Sequence, residues 1–230
     1  MNTIDRSEII ALYIEKESDN DTRIKEILEN SAGVRKFFLQ KEEFRKLVRD
    51  DARGIMLLVK EANIDLNIAK AVLKDTSEFK SVIVLNEVEY EQNLGAIIRS
   101  CEALGAKTLV IGNRVKTRIT PVVRRVSMGA TERINIVNEN IFVAISELKR
   151  LGFKIYAIET NGEKNIGEID LKYDRIAFVV GGEDKGVTEP LQNRSDEVVK
   201  LPMKGLMGSL NISVSVGIVL YERLRQTLIV

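Results

Sequence analysis

The segment LPMKGLMGSLNIS, residues 201–213, decides the fold of the C-terminal part of this chain. A predicted strand ends where the segment begins, and a loop with two glycines and two methionines follows. A helix is then predicted over Ser209–Leu228, with Ser209 as a suitable N-cap. Asn211 and Ser213 are unusual in the first turns of a helix that continues into the apolar run Val214–Leu220, because buried polar side chains need partners. Bonds to nearby backbone would satisfy them, but the pattern favours side chains that face a ligand.

Upstream of this segment, from residue 81 onward, short β-branched runs alternate with segments of helical periodicity. This alternation predicts an α/β fold with a mostly parallel sheet and helices on both faces. Ligands in such sheets bind beyond the carboxyl ends of the strands, so the residues after each strand are candidate site residues. Strands are predicted at Ser81–Leu85, Thr108–Ile111, Ile134–Val137, Lys154–Ile158, Ile176–Val180 and Val198–Leu201, with helices near residues 93–104, 118–127, 139–151 and 186–193.

The first 76 residues are more highly charged and are predicted to form a separate small α/β domain, followed by a second domain over residues 77–230. Asp75–Lys80 is the predicted joint between the two. The spacing of Ile9, Ile10, Tyr13 and Ile14 predicts one helix face. Further elements are predicted as a helix around Ile24–Leu28 capped by Asn20 or Asp21, a strand at Phe37–Leu39, a helix at Phe44–Val48 and a strand at Ile55–Val59.

A second distinctive turn is NLGAIIR, residues 93–99, after the first predicted strand of the larger domain. Asn93 is a suitable helix cap, and Gly95 permits close approach of another backbone. Arg99 follows Asn93 by just under two helical turns, so both side chains can face one site near the helix start. A capped helix with an exposed arginine explains the same pattern equally well.

The third turn is VVGGEDKG, residues 179–186, between a β-branched strand and a predicted helix. Gly181 and Gly186 have the spacing of a phosphate-binding loop, but Val187-Thr188 follows where Lys-Ser/Thr is required. Glu183 and Asp184 would also repel a phosphate. The loop therefore suits a ligand that needs close backbone contact without a polyphosphate, or simply a turn that needs the conformational freedom of glycine.

The amino-acid composition excludes several classes of catalytic and metal-binding site. The chain has no histidine and one cysteine, which excludes Ser-His-Asp triads, histidine acid–base catalysis and the common zinc sites. No metal site is expected. Its apolar stretches are too short to span a bilayer, and charged residues near the N-terminus argue against a secretory signal, so a cytoplasmic location is the default expectation.

A basic run with no acidic residue before Glu132 is the one feature of the charge pattern that points to nucleic acid, since the net charge is only +1. A basic cluster is the electrostatic footprint expected of a phosphate-binding surface, although such a run is more often a solvated helix face. The candidate RNA-binding residues are Arg114, Lys116, Arg118, Arg124 and Arg125.

Taken together, the three turns resemble the signature motifs of the SpoU (TrmH-like) RNA ribose 2′-O-methyltransferases of the SPOUT superfamily. They read N-x-G-x-x-x-R, then G-x-E-x-x-G, then P-M-x-G-x-x-x-S-L-N-x-S, in the family's order and within about residues 81–225. The resemblance implies a homodimeric α/β protein with a C-terminal trefoil knot. It also implies transfer of a methyl group from S-adenosylmethionine to a ribose 2′-hydroxyl of RNA. The N-terminal domain is then expected to recognise the RNA, and a role in dimerisation or packing is the alternative.

The resemblance also implies roles for individual residues. Arg99 corresponds to the base of the family, but an arginine side chain is effectively always protonated in proteins and is therefore a poor base. We therefore favour the hypothesis that Arg99 clamps the phosphate beside the target ribose and that Glu183 orients Arg99 or a neighbouring loop. The implied catalytic residues are Asn93, Arg99, Glu183, Ser209 and Asn211, and the implied cofactor-binding residues are Gly181, Gly182, Leu201, Met203 and Leu210.

Three alternatives remain open at this point. The same reaction on tRNA is one, although an additional N-terminal domain favours large-subunit ribosomal RNA, including the subgroup that protects ribosomes from antibiotics. A non-catalytic RNA-binding protein of this fold is the second, disfavoured by the intact polar set. A phosphate-loop nucleotide enzyme is the third, disfavoured by the missing Lys-Ser/Thr.

Overall fold

A computed structural model of the chain describes residues 9–18, 20–48, 53–59, 67–112, 119–182 and 185–228. The chain forms two compact units, residues 1–62 and 63–230. The division falls earlier than the predicted boundary at residues 76 and 77, because helix α3 (Ile68–Lys74) contributes Ile68, Ala71 and Val72 to a core of the second unit. The sequence analysis had not predicted this helix.

The first unit holds a three-stranded sheet and two helices: β1 (Ile9–Glu15), α1 (Thr22–Glu29), β2 (Arg35–Leu39), α2 (Lys41–Leu47) and β3 (Ile55–Val59). β1 is the central strand, parallel to β2 and antiparallel to β3. Asp21 caps α1 as predicted, accepting a hydrogen bond from the Arg23 backbone N–H at 2.8 Å.

The predicted helix over residues 9–14 is wrong, because these residues form β1. A central strand buries side chains on both of its faces, so Ile9, Leu12 and Ile14 are all buried. Because apolar residues lie on both faces, the sequence lacks the polar–apolar alternation of a half-buried strand. The resulting spacing of apolar residues is the same as that of a helix face.

The second unit follows the predicted alternation. Seven strands form one sheet in the order β6-β5-β4-β9-β7-β10-β8, and every pairing is parallel, which confirms the mostly parallel sheet. The elements after α3 are β4 (Lys80–Leu85), α4 (Glu91–Ala103), β5 (Thr108–Gly112), α5 (Pro121–Val126), β6 (Asn135–Glu139), α6 (Ile141–Arg150), β7 (Lys154–Ile158), β8 (Lys164–Asn165), β9 (Arg175–Val180), α7 (Glu189–Gln192), β10 (Glu197–Lys200) and α8 (Ile212–Leu228).

Both faces of this sheet are covered by helices. Ile83 and Leu85 of β4 point into a core that α4 and α8 complete, whereas Val82 and Val84 point into a second core with α3 and α6. Successive side chains of a strand point to opposite faces, so a parallel strand covered on both sides is apolar throughout. Among the described residues, no helix is both long and apolar enough to cross a membrane.

The strand order brings the site turns together. β9 lies between β4 and β7, with Val180 paired to Leu85 on one side and to Ile158 on the other. β10 follows next to β7. The turns after β4, β7, β9 and β10 therefore leave the sheet at the same edge.

Each predicted helix of the second unit starts two or three residues from its predicted position, and three of these starts border the motif turns. α4 begins at Glu91 with Tyr90 at the N-cap, which places Asn93 inside the first turn. α8 begins at Ile212 rather than Ser209, because the Asn211 side chain accepts a hydrogen bond from the Ser213 backbone N–H at 2.9 Å and so performs the capping. α7 spans four residues, Glu189–Gln192, and not 186–193.

Candidate active site

A cavity of about 470 Å³ opens at the carboxyl edge of the sheet, and we call it the carboxyl-edge cavity. Three turns and one helix start form its walls. These are the turn after β7, the turn after β9, the segment after β10 and the first residues of α8. The lining residues are Ile158, Glu159, Thr160, Asn161, Val180, Gly181, Gly182, Lys185, Gly186, Val187, Gln192, Leu201, Met203, Gly208, Ser209, Leu210, Ile212 and Ser215.

The glycines after β9 are required by close backbone approach. A Cβ atom on Gly181 would lie 1.8 Å from the carbonyl carbon of Gly186 and 2.3 Å from the Val187 nitrogen. Gly186 donates its N–H to the Gly182 carbonyl at 3.1 Å, and its own φ is +55°, in the left-handed region. The turn thus needs glycine for space at Gly181 and for conformation at Gly186, and it presents bare backbone to the cavity.

Glu159 is a site residue that the sequence analysis missed. One carboxylate oxygen accepts a hydrogen bond from the Val187 backbone N–H at 2.7 Å, and the other accepts one from the Thr160 backbone N–H at 2.8 Å. Its own backbone N–H donates to the Val199 carbonyl of β10 at 2.9 Å. Glu159 therefore ties the turn after β7 to the turn after β9 and to β10. The available signal was an acidic residue directly after a predicted strand and before a Thr-Asn-Gly turn.

The first and third motifs meet at a pair of amides. Asn211 donates from Nδ2 to the Oδ1 of Asn93 at 3.1 Å, although the two residues are 118 positions apart. This contact places the start of α4 beside the start of α8. The Ser213 hydroxyl donates to the Asn211 side chain at 2.7 Å, so this polar side chain has a partner within the helix start.

Comparison with known proteins identifies the family of this chain. The model of the SpoU rRNA Methylase family matches residues 80–221, which contain all three motifs and the whole carboxyl-edge cavity. This chain belongs to the SpoU rRNA methylase family. A 23S rRNA (guanosine-2′-O-)-methyltransferase RlmB from Coxiella burnetii is 32% identical over 222 residues, covering 95% of this chain and 88% of the relative.

Solved structures of SpoU proteins have the same fold. The SpoU methyltransferase AviRb from Streptomyces viridochromogenes, in complex with AdoMet, superposes with a TM-score of 0.80 at 19% identity, covering 96% of this chain and 84% of that one. A TrmH/SpoU tRNA modifying enzyme from A. aeolicus is 31% identical with a TM-score of 0.58, covering 68% of this chain and 79% of that one.

In this SpoU methylase, the residues predicted to bind cofactor lie together. Gly181, Gly182, Leu201, Met203 and Leu210 all line the carboxyl-edge cavity. They come from two separate turns, and their common location follows from the adjacency of β9, β7 and β10 in the sheet.

Of the predicted catalytic residues that the structure describes, only Ser209 lines the carboxyl-edge cavity. Asn93 and Asn211 are joined by their amide hydrogen bond. Arg99 is exposed on α4, the helix that carries Asn93, and no described residue forms a hydrogen bond or ion pair with its guanidinium. Glu183 lies outside the described residues.

The predicted RNA-binding run of the SpoU methylase is described only at its C-terminal end. Arg114, Lys116 and Arg118 lie outside the described residues. Arg124 of α5 forms an ion pair with Glu132, which neutralises part of the run, and Arg125 is exposed. The acidic residue that ends the run in sequence thus folds back onto it.

Two further observations limit the chemistry of the SpoU methylase. Burial raises the pKa of the Cys101 thiol far above its ordinary value, so the only cysteine stays protonated. Among the described residues, no group of three or more His, Cys, Asp or Glu side chains is arranged to hold a metal ion.

Proposed function

We propose that this chain transfers a methyl group from S-adenosylmethionine to a ribose 2′-hydroxyl of ribosomal RNA. The observation that carries the proposal is the convergence of the SpoU motif turns on one cavity inside the family match. The 23S rRNA activity named for the RlmB relative supports ribosomal RNA as the substrate, and the AdoMet complex of AviRb supports the cofactor. Because ribosomal RNA is transcribed and assembled in the cytoplasm of bacteria, a cytoplasmic location belongs to the same proposal.

The residues of the carboxyl-edge cavity fit S-adenosylmethionine. Turns with bare backbone at Gly181 and Gly182 offer amide and carbonyl groups at close range, and Leu201, Met203 and Leu210 offer apolar surface to an adenine ring. When bound there, the cofactor supplies an activated methyl group on a sulfonium. The chain's task is then to hold the acceptor hydroxyl in line, and positioning of this kind lowers barriers by roughly 7–11 kcal/mol in favourable cases.

The polar set beside the cavity would orient the RNA. The Asn93–Asn211 pair and Ser209 can hydrogen-bond ribose hydroxyls, and the exposed Arg99 guanidinium can clamp the adjacent phosphate through two parallel hydrogen bonds. The chain lacks histidine and its cysteine is buried, so proton removal from the 2′-hydroxyl rests on polarisation by this set and on the RNA phosphate. Glu183 would orient Arg99 or its loop.

Mapping of 2′-O-methyl groups on bacterial ribosomal RNA and tRNA tests the substrate. We expect one new methylated position in 23S rRNA when the purified chain acts on RNA lacking that mark. A new mark confined to tRNA would instead favour the activity named for the A. aeolicus neighbour. Binding of RNA without any methyl incorporation would favour the non-catalytic alternative.

We also propose that Glu159 is a positioning residue for the cofactor turn. The two carboxylate oxygens of Glu159 accept the backbone N–H groups of Val187 and Thr160. In Glu159→Gln one of these oxygens is replaced by an NH₂ group, so one of the two backbone N–H groups loses its acceptor. We expect the affinity for S-adenosylmethionine to fall about tenfold, corresponding to roughly 1.4 kcal/mol, with kcat at saturating cofactor changed less than about twofold.

Calorimetric titration with S-adenosylmethionine and steady-state kinetics measure the two effects separately. Glu163→Gln is the matched control, because Glu163 is exposed in the same connection between β7 and β8. A loss of kcat with unchanged cofactor affinity would contradict the positioning role.

The C-terminal segment is proposed to form the trefoil knot of the family. The chain after β7 lies directly against β10, since a Cβ on Gly162 would be 2.6 Å from the Val199 carbonyl carbon. The start of α8 then returns to the same place, where Ile212 and Ser215 line the cavity together with Ile158 and Asn161. Segments remote in sequence thus meet at the cavity, and this proximity supports the proposed knot.

We propose that the protein is a homodimer joined through α8. One side of this helix exposes apolar side chains at helical spacing, Val214, Ile218 and Tyr221, with exposed fractions of 48%, 37% and 60%, and Leu210 just before the helix is 37% exposed. Leu206 and Met207 beside the cavity are fully or mostly exposed as well. A contiguous apolar surface of this kind marks an interface, and a two-fold axis would pair the same face of two copies.

Val214→Asp is expected to convert the dimer to monomer, because it buries an unpaired carboxylate in the centre of the face. Val143→Asp is the matched control, since Val143 is exposed to a similar extent, 53%, on α6. Sedimentation velocity measures the outcome. A wild-type chain that sediments as a monomer, or a Val214→Asp dimer of wild-type stability, would refute the interface.

The first unit is proposed to recognise RNA, in agreement with the small N-terminal domain that the family resemblance implies. Of the described residues in this unit, the ones on β2 and α2 combine basic and aromatic side chains, which supports this role.

A further inference from the structure

The sheet of the first unit carries a stacked aromatic pair in which Phe37 is exposed and Tyr13 is half-buried. Tyr13 of β1 and Phe37 of β2 are register partners, and their rings stack with centroids 5.0 Å apart and an interplanar angle of 17°. Phe37 remains 43% exposed. On the opposite face of β1, Leu12 and Ile14 are fully buried in one hydrophobic cluster with Ile24 of α1.

Basic residues lie close to Phe37 along the chain. Between Arg35 and Leu47 the chain has five basic and two acidic residues, and one of the acidic residues, Glu43, accepts the Gln40 backbone N–H in the cap of α2. All five basic residues are exposed, and none forms an ion pair within the part of the chain that the structure describes. These residues are Arg35, Lys36, Lys41, Arg45 and Lys46.

The register places a cation beside the ring. Side chains two residues apart on a strand share a face, so Arg35 lies on the same face as Phe37. β2 is also an edge strand of the three-stranded sheet, which leaves the ring and the cation accessible from the side. Lys36 lies on the opposite face of this edge strand from Phe37. We call Tyr13, Phe37 and the five basic residues of β2 and α2 the β2 platform.

We propose that the β2 platform binds single-stranded RNA, with an unpaired base stacked on Phe37 and the basic residues on the flanking phosphates. This inference rests on the proposed function, and it names the surface and the form of the RNA. Aromatic rings bordered by cations are the usual means of binding unpaired nucleotides, because every base offers a face for stacking. A protein partner is disfavoured, since the cores of protein interfaces are depleted of lysine and five unpaired cations would have to be desolvated.

The test compares binding of the full-length chain to a short oligouridylate of about 16 nucleotides and to an RNA duplex of the same length. We expect Phe37→Leu, which keeps apolar volume but removes the ring, to weaken oligouridylate binding at least about fivefold. Phe37→Tyr is expected to retain wild-type affinity. The variant Arg35→Gln should lower the slope of log affinity against log salt by about 0.7.

The matched control is Arg23→Gln/Lys25→Gln on α1, two exposed and unpaired basic residues of the same unit. We expect this control to leave the affinity for the oligouridylate within about twofold, while each variant keeps wild-type affinity for S-adenosylmethionine. The charge variant leaves the aromatic packing unchanged, so it remains informative even if Phe37→Leu destabilises the unit.

The outcomes separate this inference from the proposed function. A wild-type chain that methylates ribosomal RNA, together with platform variants that bind RNA like wild type, would overturn the platform alone. Tighter binding of the duplex than of the oligouridylate would do the same, as would variants that change sedimentation but not RNA affinity. Failure of the wild-type chain to bind S-adenosylmethionine or to methylate any RNA would instead refute the proposed function.

Discussion

Replacing Gly181 by alanine is expected to abolish measurable binding of S-adenosylmethionine. The added Cβ would lie 1.8 Å from the Gly186 carbonyl carbon and 2.1 Å from its oxygen, distances that no rotation of a side chain can relieve. The two backbones of the turn must therefore separate, which disrupts the wall of the carboxyl-edge cavity. We expect an affinity loss of at least about 100-fold and a decrease of about 1–3 kcal/mol in the free energy of unfolding.

Gly205→Ala is the matched control for this prediction. Gly205 belongs to the segment after β10, and a Cβ on it would meet nothing within 4 Å. Calorimetric titration measures cofactor binding, and thermal unfolding followed by circular dichroism shows that each variant is folded. A Gly181→Ala protein that binds the cofactor within about threefold of wild type would show that the turn does not form the cofactor site.

Replacing Arg99 by lysine is expected to lower kcat on ribosomal RNA by about 100- to 1,000-fold, the usual cost of removing one preorganised group that stabilises a transition state. Lysine keeps the charge but cannot form two parallel hydrogen bonds to one phosphate. Arg99 does not line the carboxyl-edge cavity, so the affinity for S-adenosylmethionine should be unchanged.

Arg133→Lys is the corresponding control, because Arg133 is an exposed arginine whose ion pair to Glu102, at 3.4 Å, can be kept by lysine. The pH profile distinguishes the two roles considered for Arg99. A clamp leaves the shape of the profile the same in wild type and variant, whereas an arginine base would shift it, since lysine loses its proton at a lower pH. Full activity of Arg99→Lys would exclude both roles.

Much of the second unit was predictable from sequence because its signals are local. Lys154–Ile158 was predicted as a strand with the bounds observed, and the parallel sheet followed from regular alternation of strands and helices. Helix starts were less predictable, since several residues near each start can act as caps. Ser209 and Asn211 are both good cap residues, and the backbone contact made by Asn211 determines which one performs the capping.

The order of residues along the chain determined most elements of the second unit, the glycine-rich turns and the family motifs, since periodicity, turn chemistry and motif spacing are properties of neighbouring residues. Only the tertiary structure decided that β9 lies between β4 and β7, that Asn93 reaches Asn211, and that Glu159 holds the Val187 backbone. It also decided that residues 9–15 form a central strand. These features depend on contacts between segments distant along the chain, and such contacts arise from packing of the whole unit, which local patterns do not specify.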